Sequence, residues 1–369
     1  RRKKEYYRHL INSTKIHKGI AYNNYINFHI GLNKKISKQS LQLQALAYID
    51  IFDEIFTKEQ LDYIISIGDS RMCIEIAVAL AKQKSIKVYY IEQGPFNTTF
   101  FDDEGVNANL SIRKKTELSN KVNQELEVDL NYKSQKYKRS PIYRGLDMML
   151  MKLFQRSKLY PPDLKFTDLN TSKFKTPQSK SHLNTNKSNH KTILLALQVP
   201  LDVNMIYHSP IFKTHTEIIK SVYSNLPEGT KLIVREHPLF IDKYESSLYD
   251  YIEKNNITID NVSTLNDAIE TSDVIIVNNS TVGIETILKY KPVVVLGNSF
   301  YDNSSICLKL KNKEAITPLL KNALIYKPNE QEIDNFKRLL FSTVLLKGSI
   351  TDKDLTSSKL IANHILDHH

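Results

Sequence analysis

Cysteine is scarce in this sequence: Cys73 and Cys307 are the only two among 369 residues. Two cysteines are too few for a disulfide framework or a zinc site, which favours a reducing cytoplasmic setting. Long apolar runs are also missing, since none approaches the roughly 20 residues that a membrane span needs. No segment resembles a secretion signal, although the sequence starts at Arg1 and not at Met, so a leader can precede it.

Glycine-rich phosphate loops are lacking as well. The sequence has neither a Walker-type loop followed by Lys nor a G-x-G-x-x-G run, which argues against a P-loop nucleotidase or a dinucleotide-dependent enzyme. No second His or Cys stands at ligand spacing from His237, so no metal site is predicted. What is present is a globular composition, 41% apolar and 25% charged, with a length that predicts two domains.

Positive charge is unevenly distributed along the chain, whose net charge is +11. Residues 113–190 contain 17 Lys/Arg against 7 Asp/Glu, a net +10, and a second basic cluster, "RRKKEYYR", opens the sequence. Such clusters favour an anionic partner, either nucleic acid or a membrane surface, but a solvated connector is the better interpretation of residues 171–191. The segment "LDMMLMKLFQRSKLY" (146–160) has the pattern of an interfacial helix or of a helix packed in a core.

The first half contains one strand–helix–strand pattern, "LDYIISIGDSRMCIEIAVALAKQKSIKVYYIEQG" (61–94). Residues 63–67 are predicted as a strand, Gly68 as a turn, and Asp69 or Ser70 as the cap of the following helix. The apolar run 86–91 is predicted as the next strand, parallel to the first.

The second half alternates strands and helices from residue 192 onward. Predicted strands are "TILLALQV", "KLIVREHP", "DVIIVNNS" and "PVVVLGNS", and predicted helices are "PIFKTHTEIIKSVYSNL", "TLNDAIETS" with Thr264 as its cap, and "TVGIETILKYK". Continuous apolar strands that alternate with helices predict a parallel sheet covered on both faces.

The fold class predicted from these patterns is α/β, with two Rossmann-like domains that face each other across a cleft. The predicted divisions are an N-terminal α/β domain (1–160), a polar basic linker (161–191) and a C-terminal α/β domain (192–328). The remaining residues, 329–369, are predicted as C-terminal helices that can cross back onto the first domain.

Polar side chains cluster where three predicted strands of the second half end, and open α/β sheets bind ligands at that carboxyl edge. The residues concerned are Gln198, Asp202 and His208 after the first strand, Arg235, Glu236 and His237 after the second, and Asn278, Asn279, Ser280 and Thr281 after the third. A ligand site at this edge is therefore predicted, with a loop of ordinary polar residues as the alternative.

The third group stands at the start of a predicted helix. Free backbone N–H groups and the hydroxyls of Ser280 and Thr281 would suit a phosphate, and Glu285, about one turn on, could face the same ligand's ribose. Gly283 would let this turn lie close to a neighbouring element. Taken alone, a capped helix whose Ser280 serves only its own backbone is the better interpretation.

His237 is followed by Pro238, which restricts the backbone and would hold the imidazole in one orientation. With Arg235, an imidazole at this strand end could meet the phosphate. In the first half, Asp102, Asp103 and Glu104 precede a glycine, which is ordinary for a surface turn. Carboxylates placed across a cleft from a nucleotide site could also serve sugar transfer as acid, base or nucleophile.

Taken together, "LLALQVPLDVN", "KLIVREHP", "VNNSTVGIETILKYKPVVVLG" and "DDEGVNANLS" resemble motifs of the bacterial capsule polysaccharide biosynthesis proteins, which include the retaining β-Kdo transferases. The resemblance covers roughly residues 60–112 and 192–305. It implies a GT-B-like pair of domains, CMP-Kdo as the donor substrate, and neither a cofactor nor a metal. A similar acidic turn, His-Pro pair and Ser/Thr pair occur in bacterial sialyltransferases.

The resemblance also implies roles for particular residues. Charge on the departing phosphate would be met by fixed donors. The implied donor-binding residues are Gln198, Arg235, His237, Asn279, Ser280, Thr281 and Glu285. Asp202 is the first choice for the nucleophile of a double displacement, with Glu104 or Asp103 as acid/base. The reverse order, with the Asp103 turn as base of a single displacement, stays open.

The function that the resemblance implies is transfer of Kdo from CMP-Kdo to a glycan or glycolipid acceptor in capsule synthesis. The acceptors of this family are lipid-linked, which implies a cytoplasmic protein held peripherally at the anionic inner face of the membrane. Open alternatives are a CMP-sialic acid sialyltransferase and a teichoic-type polyol-phosphate transferase. A basic nucleic-acid-binding protein is the alternative of another class, but no known recognition motif supports a nucleic-acid partner.

Overall fold

The protein is described by a computed structural model that covers residues 2–32, 36–114, 140–155, 190–200 and 202–368. It divides into two compact units, each with its own β-sheet. The described residues of unit 1 lie in 2–106, 140–155 and 344–368, and those of unit 2 lie in 107–114 and 190–343. The predicted linker, 161–191, lies outside the described residues except for its last two.

Unit 1 has a four-stranded mixed sheet in the order β1-β2-β3-β10. Its strands are β1 (Tyr63–Ile67), β2 (Lys87–Gln93), β3 (Thr98–Asp102) and β10 (Leu345–Lys347). The parallel pair β1 and β2, joined by α4 (Met72–Gln83), confirms the predicted strand–helix–strand pattern. The other two pairings, β2 with β3 and β3 with β10, are antiparallel, so this sheet is only partly of the predicted parallel type.

The other described helices of unit 1 are α1 (Arg2–Ser13), α2 (Asn27–Leu32), α3 (Lys38–Lys58), α5 (Pro141–Gln155) and α13 (Thr356–His368). In α3, Leu41, Ala45 and Ile49 recur at one-turn spacing and are fully buried. They pack with Met72 and Ile76 of α4, which gives this unit a helical core beside the sheet.

The turn between β1 and α4 differs in part from the prediction. Gly68 has a φ of +76°, as its predicted turn requires. The cap residue of α4 is Arg71, and no side chain caps the helix. The prediction of Asp69 or Ser70 was wrong because the Ser70 hydroxyl donates to Asp69 (2.6 Å), whose other oxygen accepts from the Val106 N–H (3.0 Å).

Helix α5 holds the described part of the segment 146–160. Every side chain described in it, in residues 141–150 and at Leu153, is exposed. Packing of this segment in a core, one of its two predicted roles, is therefore wrong for the described residues. No helix in the described part of the chain is long and apolar enough to cross a membrane.

Unit 2 has a parallel sheet of six described strands in the order β6-β5-β4-β7-β8-β9. They are β4 (Lys191–Ala196), β5 (Thr230–Arg235), β6 (Thr258–Ile259), β7 (Val274–Val277), β8 (Val293–Val295) and β9 (Leu308–Lys309). The chain thus starts in the middle of the sheet, moves outward to β6, and returns to β7 on the other side of β4. The carboxyl ends of β4 and β7 form the topological switch point at which such sheets bind ligands.

The helices of unit 2 are α6 (Val203–Ile206), α7 (His215–Ser224), α8 (Ser246–Lys254), α9 (Leu265–Glu270), α10 (Val282–Ile287), α11 (Ile316–Ala323) and α12 (Glu330–Thr343). All four residues of β7 are fully buried, as a parallel strand covered on both faces requires. Thr264 caps α9 by accepting from the Asp267 N–H, so this predicted cap is confirmed. The α/β class predicted from the sequence is confirmed, while the predicted cleft stays a prediction.

The C-terminal part of the chain is divided between the units. Helix α12 is grouped with unit 2, whereas β10 and α13 belong to unit 1. Residues 107–114 belong to unit 2, although they directly follow residue 106 of unit 1. The units therefore interleave along the chain, whereas the predicted divisions are continuous stretches of which only the C-terminal one, 329–369, can cross back to the first domain.

Candidate functional site

A cavity of about 290 Å³ lies in unit 2 at the carboxyl ends of β4, β5 and β7. Its size is close to the lower end of the range for small-molecule sites, roughly 300 Å³. Its wall is formed by Asn107, Ala108, Gln198, Val199, Asp202, Asn204, His237, Pro238, Leu265, Asn279, Ser280, Thr281, Val282, Glu285, Ser299 and Phe300.

Most of the residues predicted for donor binding meet in this wall. They are Gln198, His237, Asn279, Ser280, Thr281 and Glu285, and the predicted nucleophile Asp202 lies with them. Arg235 is not part of the wall, and Asp103 and Glu104 belong to unit 1. The structure thus brings the three strand-end groups together, while the roles of the individual residues stay predictions.

Gln198 and Asn279 form a pair of buried amides across the switch point. The Gln198 Oε1 accepts from the backbone N–H of Asn279 (3.3 Å), and the Asn279 Nδ2 donates to the carbonyls of Asn204 (2.9 Å) and His208 (3.1 Å). These bonds leave the Gln198 Nε2 and the Asn279 Oδ1 without partners among the described residues, although the two residues are only 5% and 7% exposed.

Unpartnered polar atoms at such depth are costly, and native proteins leave few of them. One of these two atoms is a donor and the other an acceptor, and both residues line the cavity. A ligand with an acceptor and a donor close together, such as a pyrimidine edge or a sugar hydroxyl, would satisfy both.

His237 is held in place by a tyrosine seven residues later. The buried Tyr244 hydroxyl accepts from the His237 backbone N–H (3.0 Å) and donates to the Gln198 carbonyl (3.0 Å). It thereby ties the end of β5 to the end of β4. Tyr244 could not be predicted from the sequence, because nothing in the local pattern distinguishes it from other tyrosines of the chain.

The His237 ring is a neutral hydrogen-bond donor in this setting. Its Nδ1 accepts from the backbone N–H of Leu239 (3.3 Å), so a neutral ring carries its proton on Nε2. Burial lowers the pKa of His237 below its ordinary value, and the Asp202 carboxylate opposes part of that shift. At pH 7 the residue can therefore offer a neutral Nε2–H to a ligand.

Glu236, directly before His237, is a buried structural carboxylate. One oxygen accepts from the Tyr249 hydroxyl and from the Asp242 N–H (3.2 Å), and the other accepts from the Asn261 Nδ2 (2.5 Å). Buried charges need such partners. Glu236 thus fixes the loop that carries His237 and is not part of the cavity wall.

Arg235 also stabilises a loop. Its guanidinium donates to the Asp260 carbonyl (3.1 Å) and to the Ser263 carbonyl (2.7 Å), and it forms an ion pair with the Asp260 carboxylate (3.7 Å). These bonds hold the loop between β6 and α9. Its predicted donor-binding role therefore has no geometric support in unit 2.

Asp202 caps the short helix α6 at the edge of the cavity. One carboxylate oxygen accepts from the Val203 N–H (2.7 Å) and the other from the Asn204 Nδ2 (3.0 Å). A carboxylate has about four lone-pair sites, so each oxygen keeps one for a ligand. The two bonds also fix the orientation of the Asp202 carboxylate.

The start of α10 differs from the predicted phosphate site. The Val282 N–H donates to the Ser280 hydroxyl (3.3 Å) and the Gly283 N–H to the Ser280 carbonyl (2.9 Å), so these backbone donors are already used. The predicted use of free N–H groups here is therefore not supported, and the hydroxyls of Ser280 and Thr281 remain as donors. The predicted close approach at Gly283 is confirmed, since a Cβ there would lie 2.6 Å from ring carbons of Tyr301.

Glu285 lies in the wall with little compensation for its charge. Burial raises the pKa of its carboxyl above the ordinary value, and Lys289 opposes part of the shift. A carboxylate in this position gains from a ligand that donates hydrogen bonds, as ribose hydroxyls do.

The electrostatic character of the wall is unusual for a phosphate site. Among the described residues, the wall contains the carboxylates of Asp202 and Glu285 but no Lys or Arg. Arg113 lies behind it, donating to the carbonyl of Ala108 (3.2 Å) and to the Asp302 carboxylate (2.9 Å). The wall therefore offers a ligand neutral hydrogen-bond donors, and its two carboxylates disfavour a concentration of negative charge beside them.

The three carboxylates of the acidic turn in unit 1, residues 102–104, differ in how deeply they are buried. Asp102 is buried, and its Oδ1 accepts from the Glu104 N–H (3.0 Å). Asp103 and Glu104 are exposed. Asp102 is therefore a structural residue of the turn, which leaves Asp103 and Glu104 as the two that can meet a substrate.

Several wall residues were not among the predicted site residues, including Asn107, Ala108, Asn204, Ser299 and Phe300. Ser299 and Phe300 follow β8, so the rule of strand ends could have identified them. Asn107 and Ala108 stand in the quoted "DDEGVNANLS" motif, but no pattern assigns them to the second unit. Within the described residues, no group of three or more His, Cys, Asp or Glu is arranged to hold a metal.

A cavity at the switch point of a parallel sheet, lined mainly by neutral polar groups, is the arrangement of an α/β protein that binds a small molecule. Residues 62–318 match the model of the family described as capsule polysaccharide biosynthesis protein. Because this match covers more than half of the chain, the protein belongs to that family.

Individual relatives are distant. The chain is 27% identical over 179 residues to Protein FixF of Sinorhizobium fredii, an alignment that covers 47% of this chain and 42% of FixF. It is 22% identical over 294 residues to the capsule polysaccharide modification protein LipB of Neisseria meningitidis, with 69% and 68% covered. The chain thus spans about two fifths of the length of FixF and two thirds of that of LipB.

Among solved structures, KpsC of Thermosulfurimonas dismutans, described as a beta Kdo 2,7 transferase, is similar with a TM-score of 0.39 and 16% identity. The likeness covers 83% of this chain and 98% of that one.

Proposed function

We propose that this protein is a glycosyltransferase that transfers Kdo from CMP-Kdo to a glycan or glycolipid acceptor in capsule polysaccharide synthesis. Family membership supports the pathway, and the motif resemblance supports the donor. The cavity of unit 2 is the proposed donor site.

The observation that carries the proposal is the charge of the cavity wall. A CMP-sugar holds one phosphate, a diester with a single negative charge, and Kdo or sialic acid adds a second charge on its own carboxylate, whereas CDP-glycerol and UDP-sugars hold two adjacent charged phosphates. A wall with two carboxylates and no cation among its described residues disfavours two adjacent charged phosphates more than it disfavours one. This favours a CMP-sugar over the donor of a teichoic-type transferase.

In this proposal the donor is bound by neutral groups. The Gln198 Nε2 and the Asn279 Oδ1 bind the cytosine edge or the ribose, and the carboxylate of Glu285 accepts from a ribose hydroxyl. The Nε2–H of His237 and the hydroxyls of Ser280 and Thr281 donate to the phosphate and stabilise the CMP that departs. No metal takes part.

The transfer itself is proposed as a double displacement. The Asp202 carboxylate attacks the anomeric carbon, the bond to the phosphate oxygen breaks, and CMP leaves with the electron pair. The acceptor hydroxyl then attacks the same carbon and displaces Asp202, while Glu104 or Asp103 takes its proton. The result is retention of configuration and a free carboxylate at Asp202.

The proposed acceptor is lipid-linked, which places the protein in the cytoplasm at the inner face of the membrane. A CMP-sialic acid donor is the second candidate, because it has the same nucleotide and the same phosphate charge as CMP-Kdo. A nucleic-acid partner is not proposed, since no observation in the described residues favours it.

Calorimetric titration with CMP, UDP and CDP-glycerol tests the proposed donor site. The proteins to compare are the wild type, His237→Ala, His237→Gln and His9→Ala. A glutamine can replace the Nε2–H donor but cannot be protonated, and His9 is an exposed histidine of unit 1 that serves as the control.

The proposal predicts binding of CMP in preference to both other ligands. His237→Ala should weaken CMP binding about tenfold, the size of one lost hydrogen bond to a charged group, and His237→Gln should restore part of it. His9→Ala should bind as the wild type does. Equal affinity for all three ligands, or none for CMP, would contradict the proposed donor.

A further inference from the structure

Helix α5 of unit 1 presents an apolar stripe that no described part of the chain covers. Its members, at i, i+4, i+7, i+8 and i+11, are Ile142, Leu146, Met149, Leu150 and Leu153. This spacing places them on one side of the helix. Their exposed fractions run from 37% at Leu150 to 82% at Ile142, and Tyr143 beside the stripe is 73% exposed.

Such a stripe differs from the buried side of α3, the other long helix of unit 1. There the apolar residues at helical spacing, such as Leu41 and Ile49, are fully buried. A helix of about 15 residues is marginal in water by itself, and contiguous exposed apolar surface in a soluble protein marks an interaction site.

The charge around α5 indicates which partner it fits. Residues 113–190, within which the helix lies, have a net charge of +10. By helical spacing Arg144 lies on the side of the helix opposite the stripe and Asp147 lies on its flank, so neither charge belongs to the stripe itself. A second copy of the chain would bring a second segment of the same charge, and the two would repel each other. An anionic bilayer attracts the segment and also takes up the stripe.

We propose that α5 is a membrane-docking helix, which lies in the interface of an anionic bilayer with the stripe Ile142–Leu146–Met149–Leu150–Leu153 in the acyl region. The partner is a lipid surface with negatively charged headgroups. This inference is independent of the proposed donor, since it holds for any activity in unit 2.

Vesicle sedimentation tests the proposal with a matched pair of methionines. Met149 belongs to the stripe, while Met148 is its neighbour on another side of the helix, and the two are 52% and 55% exposed. Vesicles of phosphatidylcholine, with and without phosphatidylglycerol, are compared at physiological ionic strength. The proteins are the wild type, Met149→Gln, Met148→Gln and Leu146→Gln/Leu150→Gln.

The wild type should sediment with the anionic vesicles and much less with the neutral ones. Met149→Gln should lower the partition coefficient several-fold and the double variant by about tenfold or more, while Met148→Gln leaves it nearly unchanged. Glutamine keeps the helix propensity, and the replaced side chains are exposed, so the thermal unfolding midpoint should stay the same.

Fluorescence gives a second readout, because the chain contains no tryptophan. Met149→Trp introduces a single reporter on the stripe, and Met148→Trp is its control. On anionic vesicles the Met149→Trp emission should shift to shorter wavelength and be quenched by brominated lipid, more strongly than that of Met148→Trp.

Failure of the wild type to bind anionic vesicles would overturn the proposal. So would equal effects of the substitutions at Met148 and Met149. A dimer that dissociates in the double variant, without vesicle binding by the wild type, would identify a second copy as the occupant instead.

Discussion

The two units differ in where they place the polar residues that follow a strand. In unit 2 every described strand is parallel to its neighbours, so the residues after β4, β5 and β7 line one cavity. In unit 1, β3 runs against β2, and Asp102, its last residue, pairs with Tyr90 in the middle of β2. The acidic turn that follows is therefore placed beside a strand and not at a shared edge.

This difference shows in which kind of sheet the residues after a strand predict a ligand site. In a parallel sheet all carboxyl ends lie at the same edge, so residues far apart in sequence converge there. In a mixed sheet this holds only for the strands that share a direction. Inference from strand ends to a site is thus well founded in unit 2, and in unit 1 it identifies single turns whose role needs a functional test.

Removal of the carboxylates of that turn is expected to have the largest effect. If the turn supplies the acid/base of the transfer, either Glu104→Gln or Asp103→Asn should lower the steady-state rate of Kdo transfer from CMP-Kdo to the acceptor by about 10² to 10⁴-fold. Affinity for CMP should stay the same, because the donor cavity lies in unit 2. Steady-state rates and calorimetry on the same preparations measure both.

The control for this experiment is Glu54→Gln, which changes an exposed carboxylate on α3 of unit 1. Wild-type rates in both turn variants would mean that unit 2 holds all of the reacting groups, and the contrast between the units would then extend to the chemistry itself.

Gly283 in α10 and Gly145 in α5 differ in the space that surrounds their Cα atoms. A Cβ at Gly283 would lie 2.6 Å from ring carbons of Tyr301, which is fully buried and bonded to the Ser280 carbonyl and so cannot yield. Gly283→Ala should therefore destabilise unit 2 by about 1 to 3 kcal/mol. A Cβ at Gly145 would meet no atom within 4 Å in the described part of the chain. Gly145→Ala should leave the unfolding midpoint unchanged or slightly raised, because alanine favours α5.

Thermal unfolding followed by circular dichroism compares the two variants with the wild type. An equal loss of stability in both would show that crowding at Tyr301 is not the reason for glycine at position 283.

Most regular elements of unit 2 could be predicted from the sequence because their apolar runs are continuous and end at turn residues. Helix α8 was missed: its cap residue, Glu245, makes no side-chain cap bond, so the usual start signal is absent. Strands β6 and β9 have two residues each, too few for any periodic pattern. No element of residues 1–60 was predicted, although α3 is among the best packed helices.

For the candidate site, the sequence predicted which residues converge but not which of their side chains are free to bind a ligand. The convergence of Gln198, His237 and Asn279 followed from the order of strands and helices. The bonds of Arg235 to Asp260 and Ser263 could not be foreseen, because these partners follow the short strand β6. A residue type at a strand end predicts that a ligand can be bound there, but its neighbours in space decide whether the side chain is available.

Tyr244→Phe tests whether the bridge between β4 and β5 positions the cavity. The change removes one hydroxyl and leaves the His237 N–H and the Gln198 carbonyl without their partner, which should cost about 1 to 2 kcal/mol. CMP affinity should fall as well, because both residues line the cavity. The matched control is Tyr251→Phe on α8, whose hydroxyl contacts Ser224 (3.4 Å) at an exposed position. If the two variants bind CMP equally well, the bridge has no positioning role.

Glu285→Gln should give the smallest change and the most specific one. Burial raises the pKa of Glu285, so the folded protein keeps its proton to higher pH than the unfolded chain does. The stabilising contribution of the protonated Glu285 is complete below the pKa that this group has in the unfolded chain, about 4.5. It is lost as the pH rises through the higher pKa of the folded protein. Glu285→Gln should therefore raise the free energy of unfolding at pH 7 by under about 1 kcal/mol, which is seen as a higher unfolding temperature than that of the wild type. At pH 4 the two proteins should unfold at nearly the same temperature.

The same variant should bind CMP more weakly at pH 7, because an amide oxygen accepts less strongly from ribose hydroxyls than a carboxylate does. A gain in stability with a loss of affinity is the combination expected of a charge kept for a ligand. Loss of both would instead identify Glu285 as a structural residue like Glu236. The comparison of the two carboxylates thus separates a side chain that the fold has satisfied from one that a ligand must satisfy.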